Sequence, residues 1–191
     1  MRKLFSAGLV SGILVTLTLL ATPATAHELD LSVSNSAFRA GYANSLGNGL
    51  RLDGGWLRDS DEGNVVHAGL QVTGDAAPNH QKLTAGVGVR LAYLDGEGSK
   101  REGYALGIGG SLRWIVPGYD RFSVYGEYYW APDLLSGGDA EKYVDTSIHL
   151  GYNVTRQAEV YVGARYTGAD YDKRPSIKFD TGMHIGFNLH F

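Results

Sequence analysis

A strict alternation of apolar and polar side chains, sustained over long segments, constrains this chain more than any other feature of its sequence. In the segment 177–191 every second residue is apolar, apart from Thr181, and the residues between are charged, polar or glycine. The segment 144–154 alternates in the same way. Because successive side chains of a β-strand point to opposite faces, the pattern predicts strands with one apolar and one polar face. Ile177 and Phe179 are expected on the same apolar face as the later odd-numbered residues.

Turn-forming clusters divide the chain into such segments. One set of clusters is short, and the other is longer on the whole and carries more charge; the two sets alternate along the sequence. This order predicts an antiparallel up-and-down arrangement, with about eight strands over residues 50–191. Residues 28–44 add either one hairpin that turns near Asn35 and Ser36, or an arm outside the sheet. Ten strands are favoured, because Leu29, Leu31 and Val33 alternate with polar residues.

The first 26 residues have the features of a secretory signal peptide. Arg2 and Lys3 precede an uncharged apolar run over residues 4–20, and the small residues Ala24 and Ala26 fit a signal-peptidase site. The alternative is a membrane anchor, but a run of about 17 residues is short for a spanning helix. We therefore expect cleavage before His27, which leaves residues 27–191 as one β-barrel domain.

Composition excludes several functional classes. The chain has no Cys, which excludes disulfides, thiolate zinc sites, a cysteine nucleophile and a lipoprotein anchor. Its formal net charge is −3, whereas nucleic-acid binders are usually basic, so nucleic acid is not an expected partner.

Two architectures fit alternating strands, and they differ in which face is buried. A soluble barrel or sandwich buries the apolar face, whereas an outer-membrane barrel turns it toward lipid and lines its lumen with the polar face. The predicted strands are about 9 to 15 residues long, which is closer to the 9–11 of membrane-spanning strands than to the usual 5–6. Five basic and five acidic residues lie on the predicted polar face, as expected for a lumen filled by paired charges: Arg39, Arg51, Asp53, Arg90, Arg113, Glu127, Asp145, Glu159, Arg165 and Asp180.

Aromatic residues on the apolar face gather near the strand ends. Such positions are typical of the two belts that lie at the lipid headgroups. The predicted belts contain Trp56, Tyr93, Tyr104, Trp114, Phe122, Trp130, Tyr152 and Tyr166. These features favour an integral outer-membrane barrel, with the lipid bilayer and lipopolysaccharide as its surroundings.

The last strand resembles the C-terminal signature that the outer-membrane assembly machinery recognises. Its apolar residues are Ile185, Phe187, Leu189 and Phe191. The assembly machinery is therefore an expected partner.

Four segments resemble the YfaZ family of small bacterial outer-membrane proteins. They are residues 54–58 (GGWLR), 125–133 (YGEYYWAPD), 163–166 (GARY) and 186–191 (GFNLHF), of which the second is the most specific. The resemblance extends over the whole predicted mature chain. It implies an outer-membrane location and brings no catalytic, cofactor-binding or metal-binding residue.

Two groups of residues invite a chemical interpretation. Asp145, Ser147 and His149 share one strand face, but same-face neighbours are about 6.5 Å apart and Ser is in the middle, so a charge network is the favoured interpretation over a catalytic triad. Residues 59–64 (DSDEGN) resemble the start of a calcium loop, yet Leu70 stands where an EF-hand needs Glu. No catalytic residue, metal or cofactor is predicted, and the six histidines are expected to be luminal or interfacial polar residues.

The sequence thus predicts an outer-membrane barrel that is structural or interacts through its loops, or a narrow pore with a charge-filled lumen. The alternatives are an outer-leaflet lipid-modifying enzyme, which would need a Ser–His pair on adjacent strands, and a loop-mediated adhesin.

Overall fold

The computed structural model describes residues 26–77, 82–97, 102–172 and 174–191, with only the backbone of Arg174. The predicted signal peptide, apart from Ala26, and His80 lie outside these residues. The described part is built almost entirely of strands, with one short 3-10 turn at Asp133–Leu135. The strands are β1 (Ala26–Val33), β2 (Ala37–Gly47), β3 (Leu50–Asp59), β4 (Gly63–Asp75), β5 (Leu83–Gly96), β6 (Glu102–Ile115), β7 (Phe122–Ala131), β8 (Ser136–Gly138), β9 (Ala140–Asn153), β10 (Ala158–Tyr171) and β11 (Arg174–His190).

The long strands close into one antiparallel barrel. Each pairs with its neighbours along the chain, β7 pairs with β9, and β1 pairs with β11 to close the ring. The three-residue β8 pairs only with residues 103–105, near the start of β6. The barrel therefore has ten strands, and β1 and β2 form the hairpin that the alternation of residues 29–33 favoured over an arm.

The two rims of the barrel differ. The first and last described residues lie at one rim, which we call the terminal rim, where His27 and Phe191 exchange backbone hydrogen bonds of 2.8 and 2.9 Å. The opposite rim, which we call the loop rim, carries the connections that follow β1, β3, β5, β7 and β10.

The outer wall is apolar and the interior is polar over most of its height. Val87, Ile108, Ile148 and Ile185 point outward from four strands and keep 57–70% of their surface exposed. Arg90, Asp145 and other charged residues of the opposite parity are buried inside. This is the reverse of a soluble barrel and is the face assignment of a membrane barrel. Within the described residues, no helix has the length and apolar character to cross a bilayer.

The part of β11 nearest the loop rim departs from the predicted face assignment. Thr167 of β10 pairs with Asp180, but Gly168 pairs with Lys178, so Phe179 is an extra residue in a β-bulge. Phe179 and Asp180 both point inward, with 0% and 2% exposure. The prediction that Ile177 and Phe179 share the outward face was wrong, because the bulge shifts the alternation by one residue.

An apolar cluster fills the interior at the loop rim. It contains side chains from nine strands, and β11 approaches β3 and β4 there, across the barrel. The sequence analysis did not predict it. Its members are Ala37, Leu57, Val65, Ala92, Leu94, Ala105, Ala131, Ala140, Tyr143, Ala169, Tyr171, Ile177 and Phe179.

Candidate functional site in the barrel interior

The middle of the interior is organised around Arg90 on β5. Its guanidinium lies 2.8 Å from the Asp145 carboxylate, 3.0 Å from Glu127 and 3.3 Å from Asp53. The Arg90 carbon Cζ also lies 3.9 Å from the ring centre of Tyr129. One side chain thus connects β3, β7 and β9 across the lumen.

Arg39 on β2 completes this central charge layer. Its Nη2 lies 3.2 Å from Glu127 and 3.5 Å from Asp145, so these two carboxylates are shared by two guanidinium groups. The side chains of Arg39 and Arg90 are 9% and 3% exposed. Buried charges are tolerated when they are paired and hydrogen-bonded in this way, because isolated ones carry a large desolvation cost.

Three further ion pairs surround the central layer. Arg165 binds Asp180 at 2.9 Å, and Arg113 binds Glu159 at 2.6 Å. Arg51 contacts Glu28 at 2.7 Å. All ten charged residues predicted for the polar face thus lie inside the barrel, and each contacts an opposite charge.

Sequence analysis did not include Glu28 and Asp30 among the luminal charges, although both occupy inward positions of β1. Glu28 pairs with Arg51 and accepts a hydrogen bond from Asn188. Asp30 accepts one from the Tyr161 hydroxyl, with O···O distances of 2.9 and 2.7 Å. Their alternation with Leu29 and Leu31 was the available signal.

Small residues make room for these side chains. A Cβ on Gly55 would lie 2.6 Å from the His67 ring, and one on Gly69 would lie 2.6 Å from the Asp53 carboxylate. The Tyr161 ring occupies the space that a side chain would need at Gly186, the residue paired with it on β11. Glycine in these strands therefore lets large polar groups of the neighbouring strand fold over the backbone.

A polar cavity of about 90 Å³ lies between the charge layer and the terminal rim. Its wall includes a stack in which His149 lies between Tyr125 and Tyr161, with ring centres 4.9 and 4.1 Å apart. Side-chain exposure falls from the terminal rim toward the charge layer. The side chains of Arg51 and Arg113 are each 25% exposed, whereas that of Arg90 is 3% exposed. The lumen is thus more accessible to solvent near the terminal rim than at the charge layer.

The suspected triad residues are not brought into contact with one another. Asp145 pairs with Arg90 and accepts a hydrogen bond from Thr167 at 2.9 Å. The Ser147 hydroxyl lies 3.5 Å from Glu127, and His149 Nε2 lies 4.0 Å from Glu159. Each residue is therefore engaged with a different neighbour.

The acidic segment 59–64 spans the end of β3, the turn at residues 60–62 and the start of β4. Asp59 Oδ1 accepts hydrogen bonds of 2.9 Å from the backbone N–H groups of Asp61 and Glu62. In the described ranges, no three His, Asp or Glu side chains come close enough to hold a metal ion.

The predicted belt residues all lie at outward positions. Tyr93 pairs with Tyr104 near the loop rim, and Phe122 pairs with Tyr152 near the terminal rim, with ring centres 5.1 Å apart. The remaining belt positions point outward on their strands; they are Trp56, Trp114, Trp130 and Tyr166.

A ten-stranded antiparallel barrel with an apolar outer wall and an interior of paired charges defines a transmembrane β-barrel protein of the outer-membrane type. The chain belongs to the YfaZ family, because the family described as "YfaZ precursor" matches it over residues 1–191. A curated relative, Outer membrane protein YfaZ of Escherichia coli (strain K12), is 29% identical over 200 residues, which cover 100% of both chains. The resemblance and the bacterial outer-membrane location predicted from the sequence are both confirmed.

A solved structure is also similar: OmpT (in-vitro folded), an outer membrane protein of Vibrio cholerae. The similarity has a TM-score of 0.39 and 16% identity, and it covers 86% of this chain. This chain spans 64% of that protein's length.

Proposed function

We propose that this protein is a non-enzymatic structural or interaction barrel of the outer membrane, with a lumen closed to bulk diffusion. The observation that carries the proposal is the two-layer filling of the interior. An ionic layer around Arg90 occupies the middle, and the apolar cluster occupies the loop rim.

The ionic layer opposes the passage of solutes. Arg39 and Arg90 form ion pairs with Glu127 and Asp145 across the lumen at 2.8–3.5 Å. An ion that passed would have to displace these contacts, which are much stronger in a buried site than in water. Any conductance should therefore be small.

The apolar cluster opposes the passage of water and ions above that layer. Tyr143 and Phe179 are fully buried there, and Leu57 is 2% exposed. An apolar constriction blocks conduction because it has no polar groups to replace the water molecules that hydrate an ion. A narrow pore would require this cluster to move.

Planar-bilayer recording of the refolded protein tests the proposal. We expect no steps, or only small and infrequent ones, in the wild-type barrel. Large, porin-sized steps would contradict a filled lumen.

The non-enzymatic assignment rests on the contacts of Ser147, His149 and Asp145, each of which is engaged with a different neighbour and not with the other two. Incubation with phospholipid and lipopolysaccharide, followed by mass spectrometry of the lipids, should show no change in acyl chains. Acyl release or transfer that is lost in Ser147→Ala would favour the lipid-modifying enzyme instead.

We also assign the outer wall to contact with lipid and lipopolysaccharide, and the last strand to recognition by the assembly machinery. Phe187 and Ile185 of that strand point outward. In cells, Phe187→Ser should lower the amount of folded barrel in the outer membrane, whereas the same change at the exposed turn residue Tyr119 should not.

A loop-mediated interaction is the second candidate, and the connection between β7 and β9 favours it. β8 pairs there with the upper part of β6, and the Ser136 hydroxyl donates to the Pro132 carbonyl at 3.0 Å. This fixed loop presents Leu134, which is 91% exposed. Loss of cell adhesion or phage adsorption in Leu134→Asp, with unchanged folding, would support this role.

A further inference from the structure

We propose that residues 175–181 of β11, which we call the cap, form a hinged closure that opens separately from the rest of the barrel. The cap would control access from the loop rim to the ionic layer. This inference rests on the proposed function, because it concerns how the closed lumen is opened.

Two backbone irregularities lie where the cap joins the rest of β11. The bulge at Phe179 interrupts the regular pairing with β10. Below the bulge, Gly182 has φ +129, a conformation that glycine adopts readily and other residues avoid. Two irregularities within four residues allow the strand to bend inward over the lumen.

The cap is attached along only one edge. β1 pairs with β11 up to the Val33–Ile185 pair, and its last residue is Val33. In the part of the chain that the structure describes, no strand pairs with β11 above Ile185 on that side. Below Ile185 the backbone of β11 is held on both edges, whereas the cap is held by β10 alone. A segment with fewer backbone bonds opens at a lower free energy than its surroundings.

The inner face of the cap seals the lumen by apolar contact. Ile177 and Phe179, with 2% and 0% exposure, join a cluster with Leu57, Val65 and Leu94 of the opposite wall. These contacts do not depend on strand pairing, so they can be broken and remade as a unit.

The closed state also leaves a polar group without a partner. The hydroxyl of Tyr143, a member of this cluster, is buried and makes no hydrogen bond within the described residues. Burying an unsatisfied hydroxyl is unfavourable. Water that enters when the cap opens would hydrate this hydroxyl, which lowers the cost of opening.

Asp180 serves as a latch at the base of the cap. It accepts a hydrogen bond from the Ser34 hydroxyl at 2.9 Å, and Arg165 of β10 contacts it at the same distance. Ser34 lies in the turn between β1 and β2, so this bond joins the cap to the neighbouring hairpin on its unpaired side.

Hydrogen exchange of the refolded wild-type protein in detergent micelles tests the hinge. We expect amides of residues 177–181 to exchange about tenfold faster, or more, than those of residues 185–189, which are paired on both edges of the same strand. Equal protection of these two groups of amides would overturn the inference.

Cysteine labelling tests whether the cap covers the lumen. The chain has no native Cys, and Ala92, which is fully buried beneath the cap, can be replaced by Cys as a reporter. We expect Phe179→Ala to raise the rate at which a water-soluble maleimide labels this Cys by about tenfold. The matched control Phe38→Ala, the same change on the outer wall of β2, where Phe38 is 39% exposed, should leave the rate unchanged.

The folded state of each variant is checked by its heat-dependent migration in gels. If Phe179→Ala fails to fold, Phe179→Leu and Ser34→Ala serve as milder variants. An unchanged labelling rate in folded cap variants would overturn the inference, as would an equal increase in Phe38→Ala. Large conductance steps of the wild-type protein in planar bilayers would instead contradict the proposed function. The hydrogen-exchange experiment tests the hinge independently of that function.

Discussion

The Arg90 guanidinium of β5 binds the Asp145 carboxylate of β9 at 2.8 Å, across the interior of the barrel. These residues are 55 positions apart in the sequence, and their side chains are 3% and 2% exposed. The contact fixes two distant parts of the wall relative to each other and forms the centre of the ionic layer.

Replacing Arg90 by Met should destabilise the barrel strongly. The change leaves Asp53, Glu127 and Asp145 buried around an uncharged side chain, and breaking such a buried pair costs about 3–5 kcal/mol. Equilibrium unfolding in urea, followed by tryptophan fluorescence in lipid vesicles, measures the effect. Lys82→Met is the control, because Lys82 and Asp120 form an exposed pair with side chains 67% and 74% exposed. Equal midpoints for the two variants would show that the central layer contributes little.

Replacing Gly186 by Ala should destabilise the barrel through crowding. The Tyr161 ring lies where the added methyl group would be, and overpacking of this kind costs about 1–3 kcal/mol. At Gly41, also an inward position, the nearest atom to an added Cβ would be the Asp30 Cβ, at an ordinary 3.7 Å. Gly41→Ala should therefore unfold close to the wild-type midpoint. A Gly186→Ala midpoint as high as that of Gly41→Ala would mean that the Tyr161 ring is readily displaced.

A charge on the outer wall should impair insertion. Val89 lies near the middle of β5, points outward and is 42% exposed. Arginine on the lipid face costs about 2–4 kcal/mol at the bilayer midplane. Refolding of Val89→Arg into phospholipid vesicles should therefore give a lower folded fraction and a lower unfolding midpoint. Tyr119→Arg, in the turn after β6, should behave like the wild type, and a wild-type result for Val89→Arg would argue against lipid at this face.

Two serines inside the barrel allow a comparison of charged and neutral hydrogen bonds. Ser123 donates to the fully buried Glu159 carboxylate at 2.7 Å, and Ser111 donates to the side-chain oxygen of Gln71 at 2.8 Å. Hydrogen bonds to charged groups contribute about 1.5–3 kcal/mol, against about 0.5–1.5 kcal/mol for neutral ones. Ser123→Ala should thus lower the free energy of unfolding more than Ser111→Ala does. The opposite order would indicate that Arg113 alone satisfies Glu159.

The sequence was sufficient to predict the architecture because side-chain alternation is a local property. The alternation of Leu29, Leu31 and Val33 correctly predicted the first hairpin, and thus ten strands. The parity of residues such as Arg90 and Asp145 correctly placed them in the interior. Neither inference needed knowledge of which strands are neighbours beyond the chain order.

The sequence could not predict the closure of the loop rim. One extra residue at Phe179 reverses the faces of the β11 residues between the bulge and the loop rim. The alternation of apolar and polar residues over 177–191 is the same whether or not the strand contains that bulge. Ile177 and Phe179 were assigned to the wrong face for this reason, since they have the composition expected of a lipid-facing strand. The other members of the apolar cluster, such as Leu57 and Leu94, share the parity of the luminal charges on their strands.

The sequence by itself thus determined that the chain forms a barrel with an apolar outside and a charged inside, because a period of two fixes which side chains share a face. Only the tertiary structure decided which charges meet and where the lumen is closed. Arg90 reaches Asp53, Glu127 and Asp145 because strand register and ring closure bring β3, β5, β7 and β9 to the same level. Register and closure depend on pairing between distant segments, and no local pattern in the chain specifies them.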